Sequence, residues 1–421
     1  MINLKDNSIV FTICLSILVL ISFIFSFIIG EDSLGGAKHD YIQNNIFLLD
    51  FSENFKSAIK NYGVTGHEVR NLPTFNIILS QLINVGFEVG DLKYLNLIIL
   101  ILIIFFFLKS LKIEYKNLSL NSEILFTCII LLSPTIRSLV NYPFPFLWAI
   151  CFFIISIFFY LNFKNYYMNK FQNSLFCILN LAIASYMTPN FSVFIIFFLW
   201  RFLLEFRISK KFVQILVFSI ILSLPALLFL IWKDFYIFKN EVFQMTYYEK
   251  FNISNKIIII TSFIFLFFIP YLKKDDLKKF LIISNITKKA IYIILFFVLC
   301  IFFFDFKTGA GGGIFYQFSN LFFKNDILLF LIFFISLLLF NYFKLYNINN
   351  FLIFFVLILY NLQYTIYYKY FDPVLLFIFL FLLNINKFNI DINKLCRKYF
   401  VFYVSFLLIN ILKNDIKLLL V

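Results

Sequence analysis

Charged residues are scarce in this chain of 421 residues: Asp, Glu, Lys and Arg make up 14% of it, and there are only 2 histidines. Soluble domains carry about 25% charged residues, so the composition excludes a water-soluble globular protein. Hydrophobic residues make up 62% of the chain, and its mean hydropathy is +0.93. These values predict an all-α polytopic membrane protein whose helices pack against one another in lipid.

Cysteine and glycine are also few, with 6 and 11 residues. Cys396 lies in a short basic loop and the other cysteines lie in apolar segments. This distribution predicts neither disulfides nor a cysteine metal site. The chain has no Gly/Ser linker and no repeat of fixed period, so we expect a single domain over residues 1–421.

The net charge of +14 does not indicate a nucleic-acid partner, because no basic domain is present to hold a duplex. Basic loops on the cytoplasmic side of a membrane, facing anionic lipid, account for it better. The sequence therefore predicts membrane lipids as partners and no nucleic acid.

A helix needs about 20 apolar residues to cross a bilayer, and this criterion predicts about twelve to thirteen spans. We place them near 8–29, 94–108, 123–140, 144–162, 171–188, 191–206, 212–232, 257–272, 290–304, 326–343, 351–367, 373–386 and 399–412. With the N-terminus inside, more than half of the 36 Lys and Arg residues fall in cytoplasmic segments. The positive-inside rule then places the first loop, residues 30–93, outside. In a bacterium this loop is periplasmic and the protein lies in the inner (plasma) membrane.

The first loop concentrates the polar chemistry of the chain. It contains both histidines, His39 and His67, together with eight of the 22 acidic residues. Apolar residues at helical spacing from Phe47 to Lys60, and again from Phe75 to Val85, predict two amphipathic helices in the headgroup layer. Polar side chains are costly in a lipid-embedded protein, so their concentration marks a candidate site.

Two parts of this loop carry candidate residues. Asp40, followed by Tyr41, is either a general base toward a hydroxyl or the cap of a helix that starts near Tyr41. His67 and Glu68 bind sugar hydroxyls or a divalent metal ion, or form a polar turn at the membrane surface. The sequence therefore leaves a divalent metal possible and names no certain cofactor.

The order of these features resembles the GT-C class of membrane glycosyltransferases, such as protein mannosyltransferases and the lipid A aminoarabinose transferase. One span is followed by Asp40-Tyr41, an amphipathic helix, the turn Leu72-Pro73-Thr74-Phe75, a second surface helix and the second span. Similar motifs continue downstream, at Leu132–Arg137, Ala184–Asn190 and Tyr367–Pro373. Only one acid stands at the Asp40 position and one proline in the turn, and Glu31-Asp32 is a rival for the catalytic acid.

The resemblance implies a GT-C fold and an inverting enzyme that moves a sugar from a polyprenyl phosphate to a glycan, lipid or protein acceptor. It implies that Asp40 is the catalytic base, with Tyr41, His67 and Glu68 lining the sugar or metal. Fixed cations would stabilise the leaving phosphate. The candidates are Arg137, Lys307 and Lys369, with Tyr370 beside the last of these.

Two other functions stay open at this stage. An O-antigen polymerase has a similar size and similar substrates, but its large outer loop usually comes late in the chain, whereas the largest loop here comes first. A lipid-linked-glycan flippase or transporter would carry ionisable residues near the midplane and often inverted repeats. Neither feature is clear in this sequence.

Overall fold

The computed structural model describes residues 4–63, 71–166, 169–235, 252–272, 288–308, 311–343, 345, 347–361, 363–385 and 391–420. Every regular element in these ranges is a helix, which confirms the all-α prediction. The chain divides into two compact units, and each is described by itself. Unit 1 comprises Met1–Asn240 and Ile392–Val421, and unit 2 comprises Glu241–Asp391. The single domain expected from the sequence stays a prediction.

The first part of unit 1 contains helices α1 to α11. In chain order they are Leu4–Ile29, Ala37–Glu53, Phe55–Asn61, Thr74–Asn84, Leu92–Glu114, Leu120–Leu132, Pro134–Asn141, Pro145–Asn165, Lys170–Met187, Phe194–Phe206 and Lys210–Trp232.

Helix α8 lies in the core of unit 1. Apart from Ser156 and Asn162 it is apolar on all sides until Lys164, which is the pattern of a buried helix, and it packs against α5 and α9. Helices α1 and α11 differ, because most of their apolar side chains are exposed: only Ile215 of α11 is buried, and Phe11 and Phe25 of α1 are more than half exposed. An apolar surface of this extent is expected to face lipid.

Unit 2 contains helices α12 to α17, and the last helix of the chain, α18, belongs to unit 1. In chain order they are Ile253–Phe268, Lys288–Phe302, Gly313–Phe323, Ile327–Tyr342, Ile348–Tyr360, Val374–Phe377 and Ile392–Leu420.

Helix α18 packs against α6 in unit 1. At its start the Asn393 side-chain oxygen accepts hydrogen bonds from the hydroxyls of Ser119, at 2.8 Å, and Ser122, at 2.7 Å. This amide therefore fixes the start of α18 to the start of α6.

The protein is a multi-pass membrane protein. Within the described ranges, seven helices are long and apolar enough to cross a membrane, or eight if the bent pair α6 and α7 forms one span. Three shorter apolar helices lie in unit 2, at Ile291–Phe302, Ile327–Tyr342 and Ile348–Tyr360. The span expected at 373–386 is instead the short α17 followed by a π-helix at Ile378–Leu382. The finer number of about twelve to thirteen spans stays a prediction.

The described residues of the first loop form three α-helices, α2 to α4, rather than the two expected, and a short 3₁₀ helix at Val89–Asp91. The continuous helix predicted from Phe47 to Lys60 is wrong, because the chain breaks at Asn54 between α2 and α3. The Asn54 side chain accepts a hydrogen bond from the Ser57 amide at 3.1 Å, and this N-cap starts a new helix. Helix α4 agrees closely with the segment predicted from Phe75 to Val85.

An apolar cluster fixes the loop helices to the membrane part of unit 1. Phe51 of α2 packs with Ala58 and Tyr62, and Phe229 of α11 packs against them. The Tyr62 hydroxyl also donates to the Asn71 carbonyl at 3.1 Å. The loop helices therefore have a packed position on α11.

Candidate functional site

The break between α6 and α7 is the feature that builds the site. The two helices are bent by 61° at Ser133, whose hydroxyl accepts a hydrogen bond from the Ile136 amide at 3.2 Å. Pro134 follows at the first helical position, where a missing N–H group costs least. All eight residues of α7 are buried, so its polar side chains must find partners inside the protein.

Arg137 is the charged residue on α7 and is only 2% exposed. Its guanidinium lies 2.8 Å from a carboxylate oxygen of Glu31. It also donates to Ser22 of α1, to the hydroxyl at 3.2 Å and to the carbonyl at 3.0 Å. A buried charge is stable only when it is paired and hydrogen-bonded, and Glu31 supplies the opposite charge.

The turn after α1 is held to α7 by further hydrogen bonds. The Leu34 amide donates to the Ser138 hydroxyl at 2.9 Å, and the Ser33 hydroxyl donates to the Pro134 carbonyl at 3.2 Å. The Asn141 amide group donates to the carbonyls of Ser26, at 3.2 Å, and Glu31, at 2.9 Å. The turn after α1, called the acidic turn because it contains Glu31 and Asp32, therefore has a fixed position against α7.

Tyr142, which follows α7, also contacts the turn after α1. Its hydroxyl donates to the Gly30 carbonyl at 2.5 Å. Gly30 has a φ of +65°, a conformation that favours glycine, and a Cβ there would lie 3.4 Å from the Tyr142 hydroxyl. Burial, followed by the negative charge of Asp32, raises the pKa of Tyr142. The phenol therefore keeps its proton and remains a donor at neutral pH.

Asp32 starts helix α2. One carboxylate oxygen accepts from the Gly35 amide at 3.0 Å, and the other accepts from the amides of Gly36, at 2.8 Å, and Lys38, at 3.1 Å. These N–H groups lie at the helix start, where they have no partner within the helix. Asp32 thus caps the start of α2, which is the role that was one candidate for Asp40.

Asp40 lies inside the first turn of α2, which begins at Ala37 rather than near Tyr41. A negative charge in this turn is favoured by the helix dipole, and Asp40 is half-buried. The neighbouring Tyr41 ring packs against Tyr142, with centroids 5.9 Å apart. Tyr41 therefore contacts Tyr142, and Tyr142 in turn is hydrogen-bonded to Gly30, the residue before Glu31. His67 and Glu68 lie outside the described residues.

Lys369 and Tyr370 lie in unit 2, on a short 3₁₀ helix at Tyr368–Tyr370. The Lys369 ammonium lies 5.4 Å from the centre of the Tyr367 ring and 5.5 Å from that of Tyr370, which is cation–π distance. Tyr370 is buried. For Lys307, the backbone amide donates to the Tyr364 hydroxyl at 3.2 Å.

Unit 2 also contains a polar cluster that the sequence reading missed. Lys256 of α12 is 1% exposed, and its ammonium donates to the Gln363 carbonyl. The Asp305 carboxylate accepts from the side chains of Asn252, at 2.9 Å, and Asn255, at 2.6 Å. The polar residues Asn252, Asn255 and Lys256 could have indicated this cluster. They were not assigned to a helix, because the span predicted from hydropathy begins only at residue 257.

A cavity of about 220 Å³ lies in the membrane part of unit 1. Its described lining is apolar apart from hydroxyl groups and includes Ser185, Tyr186 and Pro189 of the Ala184–Asn190 motif. Across it, the Tyr186 hydroxyl donates to the Leu222 carbonyl of α11 at 2.7 Å. A space of this polarity suits an uncharged apolar group.

Within the part of the chain that the structure describes, no three His, Cys, Asp or Glu side chains form a group that could hold a metal ion. The chain matches no protein-family model, no curated protein and no solved structure. The resemblance to GT-C enzymes therefore rests on the sequence motifs.

Proposed function

We propose that this protein is an integral-membrane glycosyltransferase. It transfers a sugar from a polyprenyl-phosphate donor to a hydroxyl of a glycan, lipid or protein acceptor on the outer face of the membrane. The supporting observation is the acidic turn after α1, with Glu31 and Asp32, held against the buried polar helix α7. An enzyme acting on a lipid-anchored substrate needs carboxylates at a fixed position beside the bilayer.

The reaction forms a bond between the acceptor oxygen and the anomeric carbon of the sugar, and it breaks the bond from that carbon to the phosphate. A carboxylate takes the acceptor proton, and the polyprenyl phosphate leaves. Asp40 is the proposed base, because the resemblance assigns that role to it and because it lies half-buried in the first turn of α2. Glu31 pairs with Arg137 and Asp32 binds three backbone amides, and these contacts hold the start of the helix that carries Asp40. Asp32 is the alternative base.

The remaining sequence predictions belong to the same proposal. They comprise the GT-C fold with its larger number of spans, the outer position of the first loop in an inner (plasma) membrane, and inversion at the sugar. They also comprise donor contacts by Tyr41, His67, Glu68, Lys369 and Tyr370, with a divalent metal ion as the alternative ligand of His67 and Glu68. For Arg137, the contacts of the guanidinium support a different role from the donor contact expected from the sequence. The apolar cavity beside Tyr186 is suited to part of a polyprenyl chain.

The test is an assay of the purified protein with a panel of polyprenyl-phosphate sugars, with release of polyprenyl phosphate as the readout. We expect release with one donor class, and we expect Asp40→Asn to reduce it by at least about 100-fold, since a general base contributes about 10² to 10⁴. Asp50→Asn is the matched control, because Asp50 is an exposed acid on the same helix.

Three results would be informative. Full activity of Asp40→Asn together with loss in Asp32→Asn would move the base to Asp32. Full activity of both variants would remove the acidic turn from catalysis. No release with any donor, in a protein that transports lipid-linked glycan in vesicles, would replace the enzyme by a transporter.

A further inference from the structure

We infer that Arg137 acts as a positioning residue, through Glu31, for the acidic turn, and that it does not contact the donor phosphate. This inference rests on the proposed function and assigns Arg137 a different role from the one expected from the sequence. Its basis is the set of contacts that the guanidinium makes, together with its depth along α1.

The guanidinium is already occupied. One terminal nitrogen donates to the Ser22 hydroxyl, and the other donates to both the Ser22 carbonyl and Glu31. Only Nε of Arg137 has no hydrogen-bond partner within the described structure. Bidentate binding of a phosphate uses two parallel N–H groups of one arginine, so this arginine would first have to give up Glu31 or Ser22.

The position of Arg137 argues in the same direction. Ser22 precedes the end of α1 at Ile29 by two turns, which is about 10 Å along a helix axis. Glu31 folds back toward that level to reach the same nitrogen. The guanidinium therefore lies beside the apolar body of α1, below the level at which the helix ends, and is 2% exposed.

The ion pair between Glu31 and Arg137 holds the acidic turn against α7. Glu31 is adjacent to Asp32, whose carboxylate holds the start of α2, and α2 carries Asp40 in its first turn. Removing Glu31 leaves the buried charge of Arg137 without its partner, which is strongly destabilising, and removing Arg137 leaves the half-buried Glu31 carboxylate without its partner. The expected response is that residues 30–41 move away from α7, and this movement displaces Asp40.

The first experiment separates positioning from phosphate binding by kinetics. We expect Arg137→Gln to lower kcat by about 100-fold, the cost of a displacement near 1 Å, with KM for the donor little changed. Glu31→Gln should do the same, and the double variant should be no worse than either single one, because the two residues act as a unit. A KM increase confined to Arg137→Gln, with Glu31→Gln normal, would show a phosphate ligand and overturn the inference.

The second experiment tests whether a covalent cross-link can hold the acidic turn in position when the charge of Arg137 is absent. The hydroxyls of Ser33 and Ser138 lie 3.4 Å apart, so cysteines at these two positions bring their thiols close enough to test for a cross-link. In the Arg137→Gln background, oxidising the Ser33→Cys/Ser138→Cys pair should recover most of the lost kcat, and reduction should remove it again. The same pair in the parent protein is the control, and its activity after oxidation is the reference for full recovery. A cross-link that forms without recovery contradicts the positioning role.

Amide hydrogen exchange gives a readout that needs no substrate. Exchange over residues 30–41 should rise in Arg137→Gln and Glu31→Gln. It should stay unchanged in Lys164→Gln, which removes an ion pair to Glu114 elsewhere in the same unit. Unchanged exchange in the first two variants overturns the inference whether or not a cross-link forms. If exchange rises but the parent protein is inactive on every donor, the positioning pair stands and the glycosyltransferase proposal fails.

Discussion

At the residue scale, the most informative side chain is a buried charge. Arg137 was singled out from the sequence as a fixed cation for the leaving phosphate. Its partner could not be predicted, since Glu31 lies 106 positions away and reaches it only because the chain bends at Ser133. The residue type therefore indicated a special site, but the contact that defines its role depends on tertiary structure.

Tyr142 gives a pH prediction at this scale. Its folded pKa is raised, so the hydrogen bond to Gly30 is fully present below the ordinary tyrosine pKa of about 10. Above that value the unfolded chain releases its proton first, and the contribution to stability is lost as the pH rises through the folded pKa. Tyr142→Phe should be less stable than the parent by about 1 kcal/mol near neutral pH.

The measurement is thermal unfolding of both proteins in detergent between about pH 7 and 11, a range chosen to bracket the tyrosine pKa. The difference between parent and Tyr142→Phe should narrow at the alkaline end. A difference in stability that stays constant across this pH range would mean that the phenol proton of Tyr142 does not contribute to the stability of the fold. Comparing the two proteins cancels the titration of the other tyrosines.

At the element scale, the start of α2 shows what a sequence pattern can miss. The apolar spacing predicted helix from Phe47 onward and a start near Tyr41, whereas the helix begins at Ala37. Its start depends on a carboxylate five residues earlier, and no N-cap rule places the capping side chain at that distance. The prediction for α4 succeeded because Pro73 and the apolar run that follows mark its start locally.

Asp32 allows a test of this helix start. Asp32→Ala removes the acceptor of three amide hydrogen bonds, and loss of a capping side chain costs about 0.5–2 kcal/mol. We expect faster amide exchange in the first turn of α2 and a lower melting temperature. Asp32→Asn keeps one acceptor oxygen, so its melting temperature should fall less than that of Asp32→Ala.

The control for this test is Asp50→Ala, which removes an exposed acid near the other end of the same helix. It should leave exchange at the start of α2 unchanged. Equal exchange in Asp32→Ala and the parent protein would show that the start of α2 is held by other contacts.

At the scale of the whole molecule, hydropathy predicted the membrane class and most of the long spans. The segments expected at 8–29, 212–232 and 257–272 agree closely with candidate spans at Ile9–Ile29, Lys210–Trp232 and Ile253–Tyr271. Hydropathy did not predict the sharp bend at Ser133, because the residues on both sides of it are mostly apolar or small. The bend is the feature that brings the polar side chains of α7 to the acidic turn.

The proposed reaction requires the first loop to lie outside the membrane, where it presents its acids to a lipid-anchored substrate. Cysteine labelling in intact cells tests this directly, in a background with the native cysteines replaced. Lys56 of α3 and Lys116, between α5 and α6, are both exposed and fall on opposite sides in the predicted topology. We expect an impermeant maleimide to label Lys56→Cys in intact cells and Lys116→Cys only after permeabilisation. The reverse labelling would place the acidic turn in the cytosol and contradict the proposed reaction at the outer face.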